Sequence, residues 1–252
     1  ELILEEGSAT LNDGSARNAR FTFSMPAYAG NSYQSKTTEF RLILDATQVT
    51  NPGWTAEPII NFSFETEGDV AGWIVDREAP HSFGIGNFEG GSRLKHSIHS
   101  EDVPSNEFYQ YQGMQLDTSG AKSFSIDLYV PAEWESSNYV RAGMWAVGSN
   151  GNLSYPIIEF TNNSEAPRFR VWQSDIGWVD LGLPYDFTYN NWYTLTLTLS
   201  VSEDLVHYTA GDLSHSIERK GANEFINVIL QGHNPMPSGA TYDIYWDNFM
   251  AW

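Results

Sequence analysis

No cysteine occurs among the 252 residues, which excludes disulfides, thiol nucleophiles and zinc–thiolate sites. Bases are scarce too: 13 Lys and Arg stand against 32 Asp and Glu, a formal net charge of −19. A surface this acidic is a poor match for nucleic acid, whose phosphates demand cationic side chains, and for anionic lipid. No apolar run approaches the roughly 18–20 residues that cross a bilayer as a helix. No secretory leader is visible, and with Glu1 in place of an initiator Met the chain is expected to have lost its original start. Phosphate loops, Gly-x-Ser-x-Gly elbows, His-Glu-x-x-His helices and fixed-spacing repeats are missing. His96 and His99 fall on opposite faces of a strand, so a shared transition metal is not expected.

What is present points to β-structure. Hydrophobic residues make up 41% and aromatics 14% of the chain, enough for a packed core. Period-2 alternation recurs in short runs such as Ser123–Val130, Arg168–Gln173, Leu205–Ala210, Phe225–Gln231 and Tyr242–Phe249, separated by Gly, Pro, Asn and Asp clusters. No long segment holds a 3.6-residue period; Pro131–Asn138 offers one helical turn at most. Many strands without helical crossovers predict an all-β fold, an antiparallel β-sandwich or jelly roll. A turn-rich link at Asn51-Pro52-Gly53 divides residues 1–58, an N-terminal strand extension, from the sandwich over 59–252. The extension is too short for a safe core of its own, and its strands are expected to join the main sheets, a separate small module being the alternative.

The second part has only nine bases, five of them in strands, and alternation sorts them by face. Arg93 and Lys95 share a face with Ser97 and His99; Arg168, Arg170 and Trp172 share another; Tyr139, Arg141 and Trp145 a third; Asn227, Ile229, Gln231 and His233 a fourth. If these faces coincide they line a cleft with Arg, His, Gln and aromatic rings. Guanidinium forks bind carboxylate or sulfate and rings stack on sugars, which would suit an acidic glycan. The alternative is a solvated face whose bases pair with nearby acids. Glu159, in the apolar run Ile157-Ile-Glu-Phe160, is expected to be partly buried, a setting that suits a general acid and glycan contact. Trp134 and Trp178 sit in turn-like contexts and are the indoles expected on the surface.

Two stretches carry a family resemblance. Phe62-Ser-Phe-Glu65-Thr-Glu67-Gly-Asp69-Val-Ala-Gly-Trp73 resembles the opening of carbohydrate-binding-module jelly rolls of the concanavalin-like β-sandwich group. Tyr242-Asp-Ile-Tyr-Trp-Asp247-Asn-Phe249 resembles their closing strand. The resemblance implies a structural calcium shared between the opening acidic loop and the closing aspartate, which nominates Glu65, Glu67, Asp69 and Asp247 as ligands. The span from Phe62 to Phe249 is 188 residues, longer than compact modules of this kind, and leaves room for a larger, catalytic jelly roll.

The function expected is therefore binding of an extracellular polysaccharide by a secreted sandwich with a structural calcium. The ligand contacts would come from Arg93, Lys95, Arg141, Glu159, Arg168, Arg170, Trp172, Gln231 and His233. A polysaccharide lyase acting on a uronate-containing glycan is the enzymatic alternative. It needs a carboxylate neutraliser, a base and an acid, here Arg93, His99, Tyr109 and Tyr111, with Gln110 and Gln112 beside them. A structural role in surface or matrix adhesion is the third. The Glu-x-Asp-x-x-Glu pattern of laminarinase-like sandwich hydrolases is missing.

Overall fold

The structure, a computed structural model, describes residues 57–99, 110–135, 140–150, 155–162, 166–182, 188–233 and 241–252. The chain divides into Glu1–Asn51 and Pro52–Trp252; all but the last two residues of the expected strand extension lie outside the described residues. Among the described residues no helix is long and apolar enough to cross a membrane.

Two antiparallel sheets form a β-sandwich. Sheet A runs β13 (Leu213–Glu218), β12 (Leu205–Ala210), β11 (Asn191–Ser200), β6 (Ser123–Val130), β15 (Tyr242–Ala251), β4 (Gly91–Ile98) and β3 (Ser82–Phe88), with β1 (Ile60–Phe62) paired to the end of β15. Sheet B runs β10 (Gly177–Asp180), β9 (Arg168–Gln173), β8 (Ile157–Thr161), β7 (Arg141–Gly148), β14 (Phe225–His233), β5 (Tyr111–Ala121) and β2 (Ile74–Arg77). The last two strands are thus interior strands, one in each sheet.

Alternation dictates which side chains meet between the sheets. In β11, Tyr193, Leu195, Leu197 and Leu199 turn inward, while Thr194, Thr196 and Thr198 form an outer β-branched ladder. In β7, Ala142, Met144 and Ala146 are buried between Arg141, Gly143 and Trp145 on the outer side. Phe124 of β6 stacks on Phe225 of β14 at 4.9 Å, joining the layers. Where β14 passes β4 the layers are tightly packed: a Cβ on Gly232 would lie 2.4 Å from Ile98 Cγ1 and Cδ1. His96 is wholly buried, with Nε2 at 3.1 Å from the Gln112 carbonyl of the opposite sheet.

The closing strand departs from simple alternation. Tyr242, Ile244 and Trp246 point inward as expected. Asn248 then adopts φ 50°, and the register to β6 shifts between Asp247 and Met250. Asn tolerates this left-handed conformation better than most residues. The bulge turns Phe249 and Ala251 back into the core, so Phe249 lies on the same side as Trp246, not the opposite one.

Candidate functional site

The register of sheet B aligns its outward residues in rows. One row carries Asp76, Gly113, Gln231, Gly143, Glu159, Arg170 and Asp180 on seven successive strands. A second carries Tyr111, His233, Arg141, Thr161 and Arg168. On the other side of the first row lie Ile229, Trp145 and Ile157, then the pair Trp172 and Trp178.

Two glycines flank Gln231 and hollow the middle of this face. At Gly143 a Cβ would fall 2.6 Å from the Glu159 Cβ and 2.8 Å from the Ile158 carbonyl oxygen. Its absence lets Glu159 lie flat against β7. Beside the hollow is a pocket of about 500 Å³, lined by Trp145, Tyr155, Trp172, Trp178, Arg141 and Arg170 together with Tyr111 and Ile157. The rings form two edge-on pairs, Trp145 with Tyr155 at 5.6 Å and Trp172 with Trp178 at 5.3 Å. None of the four rings is fully buried.

The charges on this face are largely matched. Arg170 donates from Nε and Nη2 to Glu159 Oε1 at 2.8 and 2.6 Å, and its guanidinium lies 3.9 Å over Trp178. Glu159 is 0% exposed and its Oε2 accepts no hydrogen bond. Arg168 Nε is paired with Asp180 Oδ1 at 2.8 Å. Arg77 lies 2.8 Å from Asp76 Oδ2, donates to Gln231 Oε1 at 3.1 Å and covers Trp145 at 4.4 Å. Arg141 Nη1 donates to the Tyr111 hydroxyl oxygen at 2.5 Å.

The closing strand reaches through the core to fix this face. The Tyr242 hydroxyl lies within hydrogen-bond reach of backbone N and O of Arg141, at 3.2 and 2.8 Å, and of His233, both at 2.9 Å. It therefore anchors the ends of β7 and β14 beneath the Arg141 and His233 side chains. Burial raises its pKa well above the ordinary tyrosine value. The His233 ring is 4.6 Å from that of Tyr111. Burial, and then the charges of Arg141 and Arg170, lower the His233 pKa to about 3. Burial, with the Glu159 charge adding to it, raises Tyr111 to about 12.

Of the side chains named from sequence, Arg141, Glu159, Arg168, Arg170, Trp172, Gln231, His233 and Tyr111 share this outer face of sheet B. Arg93 and Lys95 do not join them. They project from β4 on the outer face of sheet A, across the sandwich, where Arg93 is bonded to Asp247 at 3.0 Å and Lys95 to Asp243 at 2.9 Å. His99 follows β4; its backbone N and O bond the Gln112 side chain at 3.0 and 2.6 Å, and its ring lies 5.9 Å from that of His81. Tyr109 lies outside the described residues. The set Arg93, His99 and Tyr111 is thus divided between two surfaces. Glu159 is buried as expected, but it is held in an ion pair rather than standing as an isolated acid. Trp134 is in the core at 3% exposure, packed on Phe160, contrary to the surface position expected. Trp178 lines the pocket. Asp76, Arg77 and Tyr155 were not singled out. Asp76 and Arg77 end a strand of four residues, too short for a period to show, and Tyr155 stands in no alternating pattern.

Glu65, Glu67, Asp69 and Asp247 are the four acids implied as calcium ligands. The Arg93 guanidinium lies between two of them, bonded to Asp247 and 4.0 Å from Glu65, while Glu67 and Asp69 belong to the 3-10 turn Glu67–Val70. Among the described residues no group of three or more His, Asp or Glu side chains is placed to hold a metal ion.

No protein-family model matches the sequence, and no curated protein matches it significantly. Solved structures do share the fold. A GlcNAcα1-4Gal-releasing endo-β-galactosidase from Clostridium perfringens superposes with a TM-score of 0.56 at 12% identity, over 82% of this chain and 65% of that one. A glycoside hydrolase family 16 endo-glucanase from Bacteroides ovatus gives 0.51 at 9% identity, over 77% of this chain and 99% of that one. A cellulose-induced protein gives 0.51 at 10% identity, over 77% and 96%. Against a sialidase, at TM-score 0.52 and 11% identity, the chain spans only 18% of the other protein's length.

Proposed function

We propose that the outer face of sheet B binds an extracellular polysaccharide, sugar rings stacking on the indoles of Trp145, Trp172 and Trp178 while Arg141, Arg170 and Gln231 meet their hydroxyls. The observation that carries this reading is the pocket of about 500 Å³ formed by four partly exposed aromatic rings and two guanidiniums. Such a mixture of ring faces and convergent polar groups is how proteins hold carbohydrate-sized ligands. The solved structures of the same fold include an endo-β-galactosidase and an endo-glucanase, which supports a glycan as the ligand class. Three of the face's guanidiniums already pair with Asp76, Asp180 and Glu159, so the face is a stacking platform with matched charges rather than a bare cationic strip.

Hydrolysis and elimination have less support. Asp76 and Glu159 stand four strands apart, about 19 Å at the usual strand spacing, whereas a glycosidase pair stands about 5–9.5 Å apart. Asp180 is nearer to Glu159, but Arg168 holds it and Arg170 stands between. A tyrosine raised to about 12 and a histidine lowered to about 3 are both poor bases at neutral pH.

Titration calorimetry against a panel of neutral and uronate polysaccharides tests the proposal. Trp172→Ala and Trp178→Ala are each expected to weaken the best ligand about tenfold or more. Ultraviolet absorbance of an unsaturated uronate end would instead reveal a lyase, and failure to bind any glycan would sink both readings.

A further inference from the structure

A second pocket, of about 410 Å³, opens at one end of sheet A, and nothing in the sheet-B reading uses it. Its walls include the rings of Phe88, Tyr129 and Tyr245, with Glu133, Asn190 and Asp243 at the polar positions. The rings are mutually fixed: Phe88 stacks on Tyr245 at 3.9 Å and meets Tyr129 edge-on at 4.8 Å, and Trp192 backs Tyr129 at 5.3 Å. Tyr129, Tyr245 and Trp192 stand on β6, β15 and β11 of sheet A, and Phe88, the last residue of β3, reaches them across β4.

The charged side chains that line the pocket, Glu133 and Asp243, are both acidic. Among the described residues no basic side chain lines the pocket. Glu133 is exposed at its mouth. Glu89 accepts from the Trp192 indole at 3.1 Å, and burial first, then Glu89 and Glu133, raise the Tyr129 pKa. Asp243 is shared with Lys95 and Ser97, and Arg93 lies over Trp192 at 5.6 Å and is bonded to Asp247, so both nearby bases are already paired with acids and Glu133 is the carboxylate left to face a ligand. Ring faces carry negative quadrupole potential and attract cations, most strongly where carboxylates add to it. An anionic or uronate ligand would meet repulsion here.

We propose that this pocket is a second ligand site, taking an organic cation held between aromatic faces and carboxylates, and that its ligand is a protonated amino sugar. The apolar walls accept the sugar ring, Glu133 faces the ammonium group, and the Asn190 side-chain amide and Thr241 hydroxyl are placed for ring hydroxyls. The site lies on the opposite sheet from the Trp172 pocket and stands whether or not that pocket binds a glycan.

The test is titration of the full chain with a glucosamine oligomer, its fully N-acetylated counterpart and choline. The glucosamine oligomer is expected to bind, the acetylated oligomer not to, and the affinity to fall with ionic strength and with deprotonation of the amine. Tyr245→Ala and Glu133→Gln are each expected to weaken it roughly three- to fivefold, while Trp172→Ala leaves it unchanged. Equal binding of the acetylated oligomer, indifference to salt, or loss on Trp172→Ala would overturn the proposal. Choline binding without the oligomer would overturn the sugar assignment. The salt and acetylation comparisons use the unaltered protein, so they decide the matter even if a variant fails to fold.

Discussion

Replacing Glu159 or Arg170 by alanine should expose how much the sheet-B face depends on one ion pair. The Glu159 side chain is 0% exposed and that of Arg170 is 7% exposed. Removing one member of a buried pair leaves the other charge uncompensated, at about 3–5 kcal/mol. The two truncations should differ. After Glu159→Ala, Arg170 keeps the Trp178 face at 3.9 Å, a contact of about 1–2 kcal/mol, and it borders an open pocket. After Arg170→Ala, Glu159 keeps nothing: both bonds to Oε1 came from Arg170, and Oε2 has none. Arg170→Ala should therefore cost about 5 kcal/mol and Glu159→Ala about 3 kcal/mol. The double substitution removes both charges together, so its cost should fall short of the sum by at least about 2 kcal/mol. Equilibrium denaturation with unchanged m values measures all three. In a thermal scan a chain of this size loses about 2–4 °C per kcal/mol. Additivity within about 0.5 kcal/mol, or a larger loss for Glu159→Ala, would refute the reasoning.

Other expectations follow from groups away from that pair. Gly232→Ala would set a methyl group 2.4 Å from Ile98 and 3.0 Å from Ile244 Cδ1, and should destabilise by about 1–3 kcal/mol as read by urea denaturation. Burial lowers both His96 and His233 to about 3, so the unfolded chain binds more protons than the folded one between that value and the ordinary histidine pKa. Stability should be fully present above about pH 6.5 and fall by about 1.4 kcal/mol per pH unit for each histidine as the pH drops toward 3; a flat melting profile from pH 7 to 4 would contradict their burial. Thorough chelation should leave the melting temperature unchanged, because Arg93 already neutralises Asp247; a clear drop would restore the calcium set of Glu65, Glu67, Asp69 and Asp247.

Alternation in the sequence made most strands legible. Ser123–Val130, Arg168–Gln173 and Leu205–Ala210 are strands with those same bounds. Strand β3 escaped notice because Gly84 and Gly86 interrupt its pattern. Most of β5, from Gly113 onward, shows no strand pattern, because Gly113 interrupts it and Asp117-Thr-Ser-Gly120 reads as a turn. The four residues of β10 are too few for a period to show. At the site, period 2 tells which side chains share a face of their own strand but not which sheet that strand joins. That is why Arg93 and Lys95 were grouped with Arg141 and Arg170, although the sandwich lies between them. Strand pairing, including the alignment of Gly113, Gln231 and Gly143 that hollows the face, depends on long-range register and leaves no local signature.

The positions of β14 and β15 have a consequence for biosynthesis. Until the ribosome has released the stretch from Phe225 onward, β5 and β7 lack the strand that joins them, and so do β4 and β6. Each sheet of the nascent protein is two separate ribbons with open edges, the kind that recruit other chains. Assembly must wait until β14 and β15 have emerged and then close contacts of large sequence separation, which is slow. The repulsion among so many carboxylates would keep unfinished chains apart during that interval.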